Sequence, residues 1–384
     1  MFRIYHVNLI AKATTNMHTL KFRQTQAESP IYSGGNPISM LEEKYGLDPS
    51  EIYKLGSNEN PLTTSDSVKN AISLALSGLN RYPPSVADLQ ENLAAYIGRG
   101  TNASNFVVGN GGCEILDLIA KSFINSGDEA IICPPTFPLY RLTLNRLEAK
   151  IIHANLNNDY SYNVDRILDS VTDKTRLLYL TTPNNPTGSV LTQDQQDEIM
   201  AKLPDHVLVV ADEVYWQFNE NEEMADSLRY VEEGRNIIVL HSFSKLFGLA
   251  GLRLGYGVAP THISEYLKRG QLPFHLNTLS IAAGLAALGD RDHMEETISM
   301  TVAERPRIYQ SLKEMGGIEV FPSETNFLLF KPEKDSKLVE EGLQKEGVIV
   351  RELSGFYMPG FIRVSVSQPH ENNVFIEKLR KILE

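Results

Sequence analysis

Ile237-Ile238-Val239-Leu240-His241-Ser242-Phe243-Ser244-Lys245-Leu246-Phe247-Gly248 is the stretch on which the reading of this chain turns. Its apolar, largely β-branched opening has the form of a strand buried on both faces. The serine-rich segment that follows delivers a lysine where that strand leaves the sheet. A charged amine is unfavourable at a buried strand end, so this lysine tends to be neutral and available to attack a carbonyl. Taken alone, a lysine in a serine-rich loop is most often an ordinary solvated residue. The rest of the chain changes that, because three other apolar runs also end in polar chemistry.

Val207-Leu208-Val209-Val210-Ala211 runs into Asp212-Glu213-Val214-Tyr215, bringing a carboxylate and then a phenol to a strand end. An aspartate there can simply cap a helix; it can equally hold a heterocyclic nitrogen protonated by a charge-assisted hydrogen bond. Leu177-Leu178-Tyr179-Leu180-Thr181 runs into Pro183-Asn184-Asn185-Pro186-Thr187-Gly188, strong turn chemistry that can be merely a tight loop or can aim the Asn185 amide at a bound ring. Phe106-Val107-Val108 passes through Gly109-Asn110-Gly111-Gly112-Cys113 into a helical pattern. Glycines let the backbone approach a phosphate, and the helix start attracts it. Arg253, in Gly251-Leu252-Arg253-Leu254-Gly255-Tyr256, can add a guanidinium fork to that phosphate, and Ser242 and Ser244 can add hydroxyls. Together these are the parts that a Schiff base of pyridoxal phosphate needs: an amine, a ring-nitrogen partner, ring-oxygen partners and a phosphate cradle.

From about Ile31 to the C-terminus the chain resembles fold-type I, class I/II aminotransferases, and among them the histidinol-phosphate aminotransferase branch. The resemblance rests on Lys54-Leu55-Gly56-Ser57-Asn58-Glu59-Asn60-Pro61-Leu62, Asn80-Arg81-Tyr82-Pro83, the Pro183 to Gly188 turn, Asp212 to Tyr215, and above all the unbroken string Ser242 to Tyr256. It implies that Lys245 forms the internal aldimine and carries the proton, with Asp212 on the ring nitrogen and Asn185 and Tyr215 on the ring oxygen. Ser242, Ser244, Arg253 and the backbone of Gly111, Gly112 and Cys113 would surround the phosphate. Tyr82 would reach the cofactor of a neighbouring subunit, which implies a homodimer. Phe137 stands where the family usually stacks a tyrosine on the ring, and a phenyl ring still stacks. Arg363 would bind the α-carboxylate of glutamate, Arg351 the distal anion of the substrate, and Tyr32 its phosphate. Each arginine is also, by itself, a candidate for a structural ion pair.

Besides Phe137, two further departures stand out. Gly112-Cys113 replaces the usual Ser-Asp or Ala-Asp, and the segment Pro30 to Gly35 matches the family's tyrosine-bearing arm only loosely. The activity implied is amino transfer from histidinol phosphate to 2-oxoglutarate, in histidine biosynthesis. Alternatives within the same chemistry are a threonine-phosphate decarboxylase-like lyase and an aromatic-amino-acid aminotransferase. Gly46 to Ile52 and Glu59 favour the first reading. A regulator that keeps this fold to sense an amine would carry a DNA-binding segment ahead of it, and no helix-turn-helix pattern is visible there.

The wider pattern agrees. Apolar runs at 106–108, 130–133, 151–156, 177–181, 207–211, 237–241 and 254–259 alternate with helical patterns. They predict an α/β fold with a mostly parallel sheet and its ligand at the carboxyl ends of the strands; the resemblance implies the aspartate aminotransferase-like form of it, with a seven-stranded sheet in the large domain. Beyond residue 275 a long helical stretch precedes Asn326 to Phe330, a helix, two short strands and a final helix, which predicts a smaller α+β domain. The expected division is a flexible extension at 1–27, an arm at 28–65, a cofactor domain at 66–275 and the small domain at 276–384. The first 27 residues contain no Asp or Glu and faintly resemble a transit peptide, but the expectation is a flexible extension of a cytoplasmic protein. A net charge of −12 argues against nucleic acid as the main partner. Two cysteines, Cys113 and Cys133, are too few for a disulfide framework, and the nine histidines show no metal-ligand spacing. No run approaches the ~20 apolar residues of a membrane span.

Overall fold

The computed structural model describes residues 21–31 and 34–384. Tyr32 and residues 1–20 of the expected extension lie outside the described residues. The centre of the molecule is a seven-stranded sheet built from β2 (Phe106–Gly109), β3 (Glu129–Ile132), β4 (Lys150–His153), β5 (Thr175–Thr181), β6 (Leu208–Asp212), β7 (Ile237–Ser242) and β8 (Gly255–Val258), in the order β2-β8-β7-β6-β5-β3-β4. Only β8 runs against its neighbours; the pairs from β7 through β6, β5 and β3 to β4 are parallel.

Apolar runs form these strands because both sheet faces are covered. Side chains alternate between faces, so Val108, Ile131, Leu178, Leu180 and Val209 pack into one core while Val107, Ile132, Leu177, Tyr179 and Val210 pack into another on the opposite face. The register then brings chemistry into line. Thr181 pairs with Asp212, Asp212 with Leu240, and Ser242 with Gly255. Three parallel strands therefore release their polar residues at one edge of the sheet.

A second, antiparallel sheet has the order β12 (Arg351–Glu352), β13 (Ile362–Ser365), β10 (Phe327–Pro332), β9 (Ile318–Phe321). Beside it β1 (Tyr53–Lys54) pairs in parallel with β11 (Val348–Ile349), tying the residues before the large sheet to those after it. Two details depart from the sequence expectation. The helical stretch is two helices, Thr278–Gly289 and Arg291–Lys313, divided at Asp290, which leaves helical geometry and accepts a hydrogen bond from the His293 N–H. The run 347–351 is also divided, because β11 pairs with β1 whereas β12 turns to pair with β13. No helix among the described residues is long and apolar enough to cross a membrane.

Candidate active site

A cavity of about 390 Å³ opens at the carboxyl ends of β5, β6 and β7. Lys245, Asp212, Tyr215, Asn185 and Arg253 line it, as do Ser242, Ser244, Gly112, Cys113 and Phe137. Arg351 and Arg363 complete the wall from the antiparallel sheet.

Lys245 follows β7 by three residues, and its Nζ donates to the carbonyl oxygens of Asn58, at 3.0 Å, and Ser57, at 3.4 Å. Burial, reinforced by the neighbouring Arg363, lowers its pKa from 10.5 to about 8. About a tenth of the amine is thus neutral at pH 7, far more than for an ordinary lysine, as a nucleophilic amine requires. Asp212 ends β6 and is almost fully buried. Desolvation raises its pKa from 3.8 to about 6, and the hydroxyl of Tyr140, donating to Oδ2 at 2.5 Å, opposes that rise.

Tyr215 is gathered into the same network. Its hydroxyl accepts from Asn58 Nδ2 at 3.1 Å and from Asn185 Nδ2 at 3.4 Å. Asn185 Oδ1 in turn accepts from Arg363 Nη1 at 2.6 Å, while Arg363 Nη2 donates to the Gly56 carbonyl at 3.0 Å. Arg351 and Arg363 meet here because they are directly paired across β12 and β13, which puts both side chains on one face of the sheet. Arg351 Nη1 donates to the Gly34 carbonyl at 2.6 Å.

Gly111 leads into the helix Gly112–Phe123 with φ +82°, and a Cβ there would lie 2.5 Å from Arg253 Nη2. Gly255 is equally constrained, since its Cβ would lie 2.5 Å from the Gly112 backbone nitrogen. Close approach of backbone is therefore built into the turn, which sets a helix start and one guanidinium side by side, an anion cradle in composition. Arg253 Nη1 is held by the Ala250 carbonyl, at 3.0 Å, and lies 3.5 Å from Ser244 Oγ.

One residue named from the sequence stands apart from this cavity. Tyr82 is exposed and stacks on Phe274, with ring centroids 4.3 Å apart; Tyr32 lies outside the described residues. Two residues in the network were not singled out. Asn58 is buried at φ +53°, a strained backbone for a non-glycine residue. Its backbone N–H donates to Ser365 Oγ at 2.8 Å, and it engages both Lys245 and Tyr215. Tyr140 lies one helical turn beyond Phe137, and that spacing was the available signal for it.

Comparison with known proteins follows the same lines. The family model for aminotransferase class I and II matches residues 50–379. The histidinol-phosphate aminotransferase of Akkermansia muciniphila is 39% identical over 358 residues, 93% of this chain and 97% of that relative. Histidinol-phosphate aminotransferase 2 of Haemophilus influenzae is 35% identical over 367 residues, 94% and 97% of the two chains. Among solved structures, histidinol-phosphate aminotransferase from Sinorhizobium meliloti in complex with pyridoxal-5'-phosphate superposes with a TM-score of 0.83 at 24% identity, covering 94% of this chain and 97% of that one. Aspartate aminotransferase from Thermus thermophilus with maleate gives 0.82 at 19% identity over 95% and 100%. At these identities the structural likenesses carry the fold: aspartate aminotransferase-like, α/β, with a mostly parallel central sheet.

Proposed function

The chain belongs to the class I and II aminotransferases, pyridoxal-phosphate-dependent transferases, and from that premise we propose that it moves the amino group of histidinol phosphate to 2-oxoglutarate. The observation that carries the choice of substrate is the pairing of Arg351 with Arg363 at the wall of a cavity that already has Arg253 at its glycine turn. One guanidinium serves the cofactor phosphate. Two remain for the anions of the substrates, a phosphate in one half of the cycle and carboxylates in the other.

The residues fit the cofactor. The glycine turn at Gly111 to Cys113, Arg253, Ser242 and Ser244 would hold its phosphate, Asp212 its ring nitrogen, and Asn185 and Tyr215 its ring oxygen, with Phe137 against the ring. When bound, the group supplies an electron-accepting ring that stabilises negative charge at the substrate's α-carbon. Lys245 is the base of this site: its neutral Nζ takes up the α-proton and later returns one, and the Ser57 and Asn58 carbonyls orient it. Asp212 stays ionised opposite a positive partner. Arg363, held by Asn185 and Gly56, orients the carboxylate of glutamate or 2-oxoglutarate, and Arg351 with Tyr32 receives the distal anion.

On the same reading residues 66–275 are the cofactor domain and 276–384 the small domain, with 28–65 as an arm and 1–27 as an extension. The enzyme acts in the cytoplasm as a homodimer, in which Tyr82 completes the neighbouring site. The exposed stack of Tyr82 on Phe274, with Leu74 and Leu79 also exposed, supports such a contact. The test is to add histidinol phosphate, phenylalanine, tyrosine, threonine phosphate and glutamate separately to the loaded enzyme and follow the cofactor's visible absorbance. Histidinol phosphate and glutamate are expected to convert it. Conversion by glutamate and aromatic amino acids alone rejects the proposed donor, and release of carbon dioxide from threonine phosphate would make the enzyme a lyase.

A further inference from the structure

Tyr140 has no part in the chemistry just described, yet it makes the shortest contact to Asp212. It belongs to the helix Pro138–Arg146, and its side chain is completely buried. Its ring stacks on Tyr179, with centroids 4.7 Å apart and planes 23° from parallel, and stands edge-on to Phe137 at 5.8 Å. Phenylalanine would fill this space as well. The hydroxyl is what the packing does not require, and it is spent on Asp212 Oδ2, at 2.5 Å, with Thr181 Oγ1 2.9 Å away.

The surrounding hydrogen bonds give that contact a direction. A phenol has one proton, and an ionised carboxylate only accepts. With the Tyr140 proton on Asp212, the phenolic oxygen is free to accept from Thr181. Behind Thr181 lies Thr136 Oγ1 at 3.2 Å, which donates to Asn184 Oδ1 at 3.0 Å. Asn184 is itself tied by its amide to the Pro135 carbonyl and to Thr187 Oγ1. The Tyr140 hydroxyl thus has an acceptor in Asp212 and, in Thr181, a donor of its own, with Thr136 and Asn184 beyond. Asp212 Oδ1, by contrast, has as its one hydrogen bond among the described residues a long contact of 3.4 Å from the Val214 N–H. A carboxylate oxygen so lightly engaged retains the capacity to accept a strong bond.

We propose that Tyr140 is a positioning residue for the cofactor's ring nitrogen: by donating to Oδ2 from behind, it keeps the buried Asp212 ionised and leaves Oδ1 as the oxygen that meets the ring. This rests on the assignment of Asp212 given above. A hydrogen bond to the charged form of an acid favours that form, and Tyr140 is the strongest such influence on Asp212.

The test uses the apoenzyme and pyridoxine 5'-phosphate, which lacks the aldehyde and so reports on the ring and phosphate contacts without a bond to Lys245. Its dissociation constant is measured from acid to alkaline pH for the native enzyme, Tyr140→Phe and Asp212→Asn. Tyr140→Phe is expected to weaken binding about tenfold near neutrality and to move the onset of tight binding to higher pH, since the carboxyl then ionises later. Asp212→Asn is expected to weaken binding and remove that pH dependence. Replacing Tyr140 by 3-fluorotyrosine, a stronger donor of nearly the same size, is expected to move the onset to lower pH and keeps the test available if the phenylalanine variant folds poorly. A packing role alone would lower the melting temperature and leave the pH profile in place. An unchanged profile in both Tyr140 variants, beside an altered one in Asp212→Asn, overturns the proposal; an unchanged profile in Asp212→Asn places the fault in the assignment of Asp212 itself.

Discussion

Asp212→Asn removes a charge and almost no volume, and two opposite effects are expected of it. In the apoprotein burial raises this carboxyl from 3.8 to about 6, so the folded state binds its proton more tightly than the unfolded chain does. Stability therefore falls as pH rises from about 4 to about 6, and above that the buried carboxylate costs about 3 kcal/mol. An amide accepts the Tyr140 hydroxyl through its oxygen and carries no charge. The apo variant should accordingly be more stable than the native apoprotein at neutral pH, by ~2–3 kcal/mol, with the difference disappearing below about pH 4. In the loaded enzyme the order reverses. With its oxygen held by Tyr140, the amide turns an N–H toward a protonated ring nitrogen, donor against donor. Turnover should fall by roughly a hundredfold or more, a loss of about 2.7 kcal/mol in transition-state stabilisation. Urea unfolding of the two apoproteins at acid and neutral pH measures the first effect, and the single-turnover change in cofactor absorbance measures the second. An apo variant no more stable than the native protein at neutral pH refutes the burial argument, and near-normal turnover removes Asp212 from the site.

Gly111→Ala puts a Cβ 2.5 Å from Arg253 Nη2 at a backbone of φ +82°; cofactor affinity by equilibrium dialysis should fall about tenfold or more, since displacing that guanidinium removes a charge-assisted contact of ~1.5–3 kcal/mol, and an unchanged affinity would mean that the turn does not touch the phosphate. Arg363→Lys breaks the fork that joins Asn185 Oδ1 to the Gly56 carbonyl; the KM for 2-oxoglutarate should rise about tenfold or more with a smaller change in kcat, and an unaltered KM would contradict its role. Lys245 has a folded pKa of about 8 against 10.5, so the unfolded chain binds its proton more tightly. Apoprotein stability should increase as pH rises through that interval, by up to about 3 kcal/mol, and the difference curve against Lys245→Met isolates this contribution. A flat difference curve would show that the amine is not desolvated.

The central sheet was legible in the sequence because its strands are buried on both faces. The run 237–241 becomes β7 at Ile237–Ser242, and 177–181 becomes β5 at Thr175–Thr181. β9 was not foreseen: Ile318-Glu319-Val320-Phe321 is only partly buried at a sheet edge, and its alternation is too short to separate from a loop. The break at Asp290 falls in the polar run Gly289-Asp290-Arg291-Asp292-His293, which carries the cap chemistry; helical spacing resumes at Met294, so the two helices read as one stretch. The site divides in the same way. Lys245, Asp212 and Arg253 each follow an apolar run and could be read in order. Asn58 and Tyr140 act through contacts spanning 157 residues, Asn58 to Tyr215, and 72 residues, Tyr140 to Asp212. Such pairings are side-chain contacts between distant segments that only the folded chain brings together, and local spacing hints at Tyr140 without naming its partner.

The account rests on a covalent link between Lys245 and the cofactor. Borohydride reduction of the loaded enzyme, followed by proteolysis and mass mapping, tests it directly. The expected product is a single phosphopyridoxyl adduct on the peptide carrying Lys245. Loaded enzyme that yields no adduct at Lys245, or yields it at another lysine, would contradict the account at its foundation.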